Sequence, residues 1–241
     1  MQSQLNSLGQ EVGYTVPNWN GAQAPSRESW GGRYCQLQPL DAERHTDDLF
    51  QAQSLDRQGR NWTYLSYGPP QSRQEHWDLL DRQASSTDPL FFAILDAVSG
   101  KAVGVASYLR ISPDLGSIEI GHLYFSPFLQ RTPASTEAIF LMLSKAFDLG
   151  YRRVEWKCDS LNAPSMAAAR RFGFSYEGLF RQASVSKGRN RDTAWYSILD
   201  REWTWLRPAY EAWLDPHNFD RKGRQRERLS TLTATSPVVL V

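Results

Sequence analysis

The 241-residue chain holds little sulfur: two cysteines, Cys35 and Cys158, and three methionines. Cysteines so widely separated form neither a redox pair nor a metal-ligand spacing, and no metal site is expected. A reducing cytoplasm is the compartment they suit. An excess of one charge is missing too, because 27 Lys and Arg against 26 Asp and Glu leave a formal +1. That balance supplies no general field for holding nucleic acid or an anionic membrane. The basic run DRKGRQRER at 220–228 lacks interleaved aromatics and reads as a solvated tail or helix face, so no nucleic-acid partner is expected. No apolar run approaches the roughly 18 residues of a membrane span. The amino terminus, MQSQLNSLGQEVG, lacks the apolar centre of a signal peptide.

What the chain does have is a globular balance of 41% hydrophobic and 22% charged residues, with nine tryptophans. Residues 1–32 carry turn formers and isolated aromatics and read as an extended arm. From Tyr34 the pattern is strand, helices, three strands, helix, strand, helix, two strands. A helix starts at Asp41, and Ser72 with Glu75 forms a capping box for the next. The segments PLFFAIL, KAVGVASYL and SIEIGHLYF read as an antiparallel run. Ile139, Met142, Leu143 and Ala146 give the following helix an apolar stripe ended by Gly150. In RRVEWKC, Val154, Trp156 and Cys158 share one face, and Arg153, Glu155 and Lys157 share the other. Strand, helix, strand in this middle section is a crossover and needs a locally parallel pair. The expected fold is therefore α/β, a mixed sheet with helices on both faces. The expected units are an arm (1–32), a main domain (33–203), and a C-terminal helix with polar tail (204–241). A homo-oligomer stays open, with the Trp-rich stretch 203–213 as its candidate interface.

Two places carry chemistry. The crossover helix begins after SPFLQRTPAST, where a helix start offers free N–H groups and a positive dipole end to a pyrophosphate. Alternatively, Ser135 and Thr136 merely cap that helix. The second place is WKCDSLNAPSMAAARRFGF, where Asn162 and Ser165 stand at the start of the next helix. If the two parallel strands diverge, the edge of the first is free to pair with the amides of an extended ligand. Asn162 then reaches the same ligand, and coenzyme A has the matching pyrophosphate and amide arm. Equally, Asn162 is a helix cap, Pro164 fills the first turn and Ser165 bonds to backbone.

Residues 162–181, NAPSMAAARRFGFSYEGLFR, resemble the Asn-x-x-Ser, Gly-Phe, Glu-Gly and Arg pattern of the GNAT superfamily of N-acetyltransferases. The resemblance is greatest to the RimJ/RimL-type branch that acetylates ribosomal-protein amino termini. IEIGHLYFSP resembles that branch's central strand and QRTPASTEA its pyrophosphate loop. The resemblance runs from about Tyr34 to Trp203. It implies a splayed sheet and acetyl-CoA as acyl donor. It places the donor's arm on the backbone of Leu123, Tyr124 and Phe125, and its phosphates on Gln130, Arg131, Thr132, Ala134, Ser135 and Thr136, with Asn162 and Ser165 beyond. Pro133 stands where the family usually has glycine and removes one N–H donor. Arg170 stands where many relatives have a tyrosine acid, so that role passes to Ser165.

The expected reaction is direct attack by an amine in a ternary complex. Glu119, acting through water, is the first candidate base and His122 the second; His122 shares a parity with Ile118, Ile120 and Tyr124 that also suits a core or wall residue. Glu177 matches the family pair but a bulge or turn explains it as well. Trp62, Tyr64 and Tyr67 are expected to wall the acceptor, a protein amino terminus, a small amine or an amino acid, or else only to pack. The alternative is a non-catalytic acyl-CoA-binding or sensing module.

Overall fold

A computed structural model describes residues 3–234. The last seven residues of the expected tail, 235–241, lie outside the described residues. Strands β1 (Ser3–Leu5) and β2 (Glu11–Gly13) form a small exposed hairpin that the sequence reading had not separated from the arm. Further on, the arm fastens to the main sheet's turns: the Ala22 and Gln23 N–H groups donate to the carbonyls of Pro113 and Leu149. Its end, β3 (Trp30–Gly31), is the edge strand of the main sheet.

The main sheet has eight strands in the order β3-β4-β5-β6-β7-β8-β10-β9. They are β4 (Cys35–Pro39), β5 (Leu90–Asp96), β6 (Ala102–Ser112), β7 (Ser117–Phe125), β8 (Arg153–Asp159), β9 (Ser175–Ser186) and β10 (Arg189–Leu199). Among the described residues only β7 and β8 run parallel. Helices α1 (Ala42–Gln53) and α2 (Arg73–Ser85) cover one face. The other face carries α3 (Pro133–Asp148), α4 (Ala163–Arg171), α5 (Asp200–Leu214) and α6 (Leu229–Ala234).

Local chemistry sets the helix ends. Asp41 and Ser72 accept the Arg44 and Glu75 N–H groups and so cap α1 and α2. Glu75 reaches back one residue beyond the expected box, to the Gln71 N–H. At the other ends, Gly150 and Gly173 take left-handed conformations, φ 89° and 85°. There the Tyr151 and Phe174 N–H groups return to the Ala146 and Ala169 carbonyls, closing α3 and α4 with the same motif.

Two tryptophans of the Trp-rich stretch, the candidate interface, turn inward. Trp203 and Trp213 are 6% and 4% exposed, and Trp203 stacks on Phe147 at 5.2 Å. The segment after it folds back as well, with Leu229 fully buried.

Glu137, on α3, joins the two halves of this arrangement. Its buried carboxylate accepts the backbone N–H groups of Arg33, Tyr34 and Cys35 at 2.8, 2.6 and 2.8 Å. Gly32 is the residue that lets the chain pass, since a Cβ there would lie 2.4 Å from the Glu137 carboxyl.

Candidate active site

The parallel pairing of β7 and β8 is brief. Ser117 faces Arg153, Ile118 faces Val154 and Glu119 faces Glu155, and the register ends there. Beyond it β7 stays with β6 as far as Phe125, whereas β8 pairs with β10 along its whole length, Arg153 to Asp159. The sheet therefore splits between two firmly paired halves. The opening is a cleft of about 470 Å³ lined by residues of β6, β7, β8, β10 and the start of α4.

A bulge re-aims the β7 wall. Ser107 faces Gly121 while Val105 faces Tyr124, so β7 carries one residue more than β6 across this interval. His122 takes φ 48° within it. Ile118 and Ile120 consequently pack toward α3, but Tyr124 packs toward α1, against Trp62 at 4.6 Å. The single face expected for Ile118, Ile120, His122 and Tyr124 does not exist. The His122 side chain instead lines the cleft with no hydrogen-bond partner among the described residues, backed by Tyr67 and Phe91 at ring distances of 6.4 and 5.3 Å. Burial, then Arg110 and Arg191, holds its pKa below the usual histidine value.

At the floor of the split, charges alternate across four strands. Arg110 pairs with Glu119; Lys157 reaches Glu119 at 3.2 Å and Glu155 at 2.6 Å. Arg153 pairs with Glu155 at 2.8 Å and with Glu177 at 2.5 Å. Three cations and three carboxylates thus neutralise one another. Lys157 also lies 3.4 Å from the Trp195 ring centre. Burial pushes the Glu119 carboxyl up, against the pull of Lys157 and Arg110. Glu119 is present at the cleft, but its oxygens are engaged by two cations. Glu177 is the far rung of this ladder, and Ser197 donates to it at 2.7 Å.

On the α4 side, Asn162 caps the helix: its Oδ1 accepts the Ser165 N–H at 3.1 Å. That leaves the Asn162 Nδ2 for a ligand in the cleft. The Ser165 Oγ accepts the Trp156 indole N–H at 3.0 Å, and its hydroxyl lies within hydrogen-bond reach of the Cys158 sulfur. Cys158, close by, is a buried thiol whose pKa burial raises, which suits a core residue and not a nucleophile.

The loop before α3 differs in detail from expectation. Thr132, not Ser135 or Thr136, caps the helix, its Oγ1 accepting the Ser135 N–H at 3.3 Å. Ser135 Oγ turns back to the Thr132 carbonyl, and Thr136 Oγ1 receives Arg171 at 3.0 Å. The Gln130 amide is likewise committed, to Asn61 and the Phe125 carbonyl at 2.9 and 2.8 Å. What the loop leaves open are the N–H groups of Arg131 and Thr132, which find no partner among the described residues, and that of Ala134 in the first turn. Three backbone donors beside a helix start suit a diphosphate despite Pro133.

The aromatic loop is divided. Tyr64 sits on the cleft rim, its hydroxyl donating to the Leu161 carbonyl at 2.9 Å. Trp62 and Tyr67 were expected to wall the acceptor as well. Trp62 is 3% exposed, under the rim in the α1/α2 core, and Tyr67 is packed beside it, its hydroxyl pushed up to about 12 by burial. From the opposite side Lys187, at the β9–β10 turn, donates to the Trp62 carbonyl at 2.7 Å. The sequence reading missed Arg110, Asp159, Arg191 and Trp195, all of which line the cleft. A second cavity, of about 560 Å³, lies between α1, the β5–β6 turn and the start of α3, and shares no residue with the cleft. Its Asp48 and Asp96 are spent on backbone N–H groups.

Among known proteins, a GCN5-related N-acetyltransferase from Brucella melitensis is 49% identical, with a TM-score of 0.89 over 91% of this chain and 100% of its own. An acetyl transferase from Salmonella typhimurium that modifies the amino-terminal serine of a 50S ribosomal subunit protein shares the fold at 21% identity. Its TM-score is 0.61, over 71% of this chain and 99% of its own. An uncharacterized N-acetyltransferase, p20, from Bacillus licheniformis is 29% identical over 113 residues, 46% of this chain. The chain spans 63% of the length of that curated relative. Residues 35–175 match the acetyltransferase (GNAT) domain, the stretch that holds β7, the parting strands and the Asn162–Ser165 turn, and the chain belongs to that family.

Proposed function

We propose that this protein transfers the acetyl group of acetyl-CoA to a primary amine by direct attack within a ternary complex. The observation that carries the reading is the end of β7–β8 pairing at Glu119 and Glu155, with Asn162 and Ser165 on one side of the gap and His122 on the other. Acetyl-CoA supplies a thioester, whose C–S bond breaks as the amine nitrogen forms a bond to the carbonyl carbon. The proton lost by nitrogen equals the one gained by the departing thiol, so amide and free thiol are the products.

The residues divide that work. The N–H groups of Arg131, Thr132 and Ala134 hold the diphosphate, and the edge of β7 beyond Glu119, with Asn162 Nδ2, pairs with the amide arm. Backbone N–H groups near the bulge polarise the carbonyl. His122, its pKa lowered by burial and without a hydrogen-bond partner among the described residues, accepts the amine proton at its ring nitrogen. Glu119, clasped by two cations, fixes the floor of the split and gives Arg110 and Lys157 their positions. The Ser165 hydroxyl, anchored through its oxygen by Trp156, donates toward the leaving sulfur. The test is free-thiol release from acetyl-CoA with a panel of primary amines: amine-dependent release is expected, and binding of acetyl-CoA without release by any amine overturns the reading in favour of a sensing module.

A further inference from the structure

The charged residues lining the cleft are Arg110, Glu119, Lys157, Asp159 and Arg191. The first two and Lys157 belong to the ladder and are neutralised within it. The remaining two have no counter-ion among the described residues, and they are opposite in sign. The Arg191 side chain makes no ion pair or hydrogen bond among the described residues, and its Nε is sealed from solvent without an acceptor. A guanidinium N–H left so is costly, and an arriving anion recovers that cost. Asp159 receives a single backbone N–H, from Leu161 at 2.8 Å, and no cation. Its partner across the strands is Thr193, two residues from Arg191 on β10. The two backbone positions are thus about 7 Å apart along the strand direction, a span that two side chains and one small molecule bridge.

The space is bounded as well. Lys187 on the Trp62 carbonyl and Tyr64 on the Leu161 carbonyl tie the aromatic loop across both sides of the cleft rim. Within about 470 Å³ the cleft has to take the donor's acyl end and the acceptor together, which favours a compact acceptor over a folded protein surface.

We infer that the acceptor is a small zwitterion, an amine carrying a carboxylate on the same molecule as in a free amino acid, with Arg191 holding the carboxylate and Asp159 the incoming ammonium. The inference rests on the acetyltransferase reading and narrows its acceptor. Once the ammonium has docked, it gives one proton to solvent and the neutral nitrogen attacks, its second proton passing to His122 as the amide forms.

The experiment compares thiol release from acetyl-CoA for matched acceptors: free amino acids, their carboxamides, and short peptides beginning with either an acidic or a neutral residue. Free amino acids are expected to exceed their carboxamides at least tenfold in kcat/KM, chiefly through KM, and to exceed both kinds of peptide. Arg191→Gln is expected to bring the acid-to-amide ratio near one, Arg191→Lys to keep part of it, and Arg191→Glu to reverse it. Circular dichroism of each variant guards against misfolding, and the Lys variant supplies the answer should the others fail to fold. Equal use of acid and amide, a preference for acidic peptides, or a ratio unmoved in the Arg191 variants overturns the inference while leaving acetyl transfer standing. Absence of thiol release with every amine overturns both.

Discussion

Glu119 and Glu155 are the last residues to face each other before β7 and β8 part, and Lys157 ties their carboxylates together, 3.2 and 2.6 Å away. The side chains of Lys157 and Glu119 are 4% and 5% exposed, so both charges are effectively out of water. Removing one partner strands the other. Lys157→Met is expected to lower the unfolding free energy by about 3–5 kcal/mol at neutral pH. Glu119 already titrates above the ordinary 4.5 through burial, and Lys157 is the first of the groups opposing that shift. A raised carboxyl pKa gives stability that is complete below the unfolded value and is lost as pH rises through the folded one. The deficit of the Met variant should therefore widen between pH 4 and 7, as urea titrations at the two pH values will read.

His122 and Glu119 are separable by their pH profiles. With its pKa below 6.5 through burial and through Arg110 and Arg191, His122 is neutral at pH 7 and becomes charged only in more acid solution. The rate should hold at neutral pH and fall on an acid limb whose midpoint lies below 6.5. His122→Gln is expected to cut kcat by roughly a hundredfold or more and remove that limb. Glu119→Gln should lose stability yet keep the limb. An acid limb that survives in the His122 variant assigns the base elsewhere.

Asn162 serves two ends with one amide, and two substitutions pull them apart. Asn162→Ala deletes the cap on the Ser165 N–H and should cost about 1 kcal/mol of stability. Asn162→Asp keeps an oxygen for the cap but gives up the Nδ2 donor. It should melt like the native protein while raising KM for acetyl-CoA severalfold. Native KM in the Asp variant removes Asn162 from ligand binding.

Glu137 holds three backbone N–H groups at the entry to β4. Glu137→Ala leaves those donors buried without an acceptor and is expected to cost at least about 3 kcal/mol. Gly32→Ala forces the same carboxyl aside by placing a methyl 2.4 Å from it, and should destabilise in the same direction. Urea midpoints of both variants check the pair.

Much of this fold is legible in short stretches. Asp41, Ser72, Gly150 and Gly173 mark helix ends through interactions within a few residues, and each does so in the structure. The order strand, helix, strand is enough to require the parallel pair. The site is harder because it depends on where pairing stops. Nothing near Glu119 or Glu155 in sequence says that theirs is the last shared register, since that is settled by β10 holding β8 along its length. The bulge at His122 lies in an apolar run that reads as an unbroken strand, and so Tyr124 was placed on the wrong face. Trp62 and Tyr67 failed as wall residues because an aromatic side chain suits a core and a pocket alike. Arg191 carries no local signature at all: its interest lies in the partner it lacks, which only the folded chain reveals.

The double tether of the aromatic loop has a kinetic meaning. One end is pinned by Lys187 from the β9–β10 turn and the other by Tyr64 on the chain leading into α4. A flap hinged at a single point swings freely, but this one is buttoned on both margins. Opening that side requires both hydrogen bonds, of 2.7 and 2.9 Å, to break.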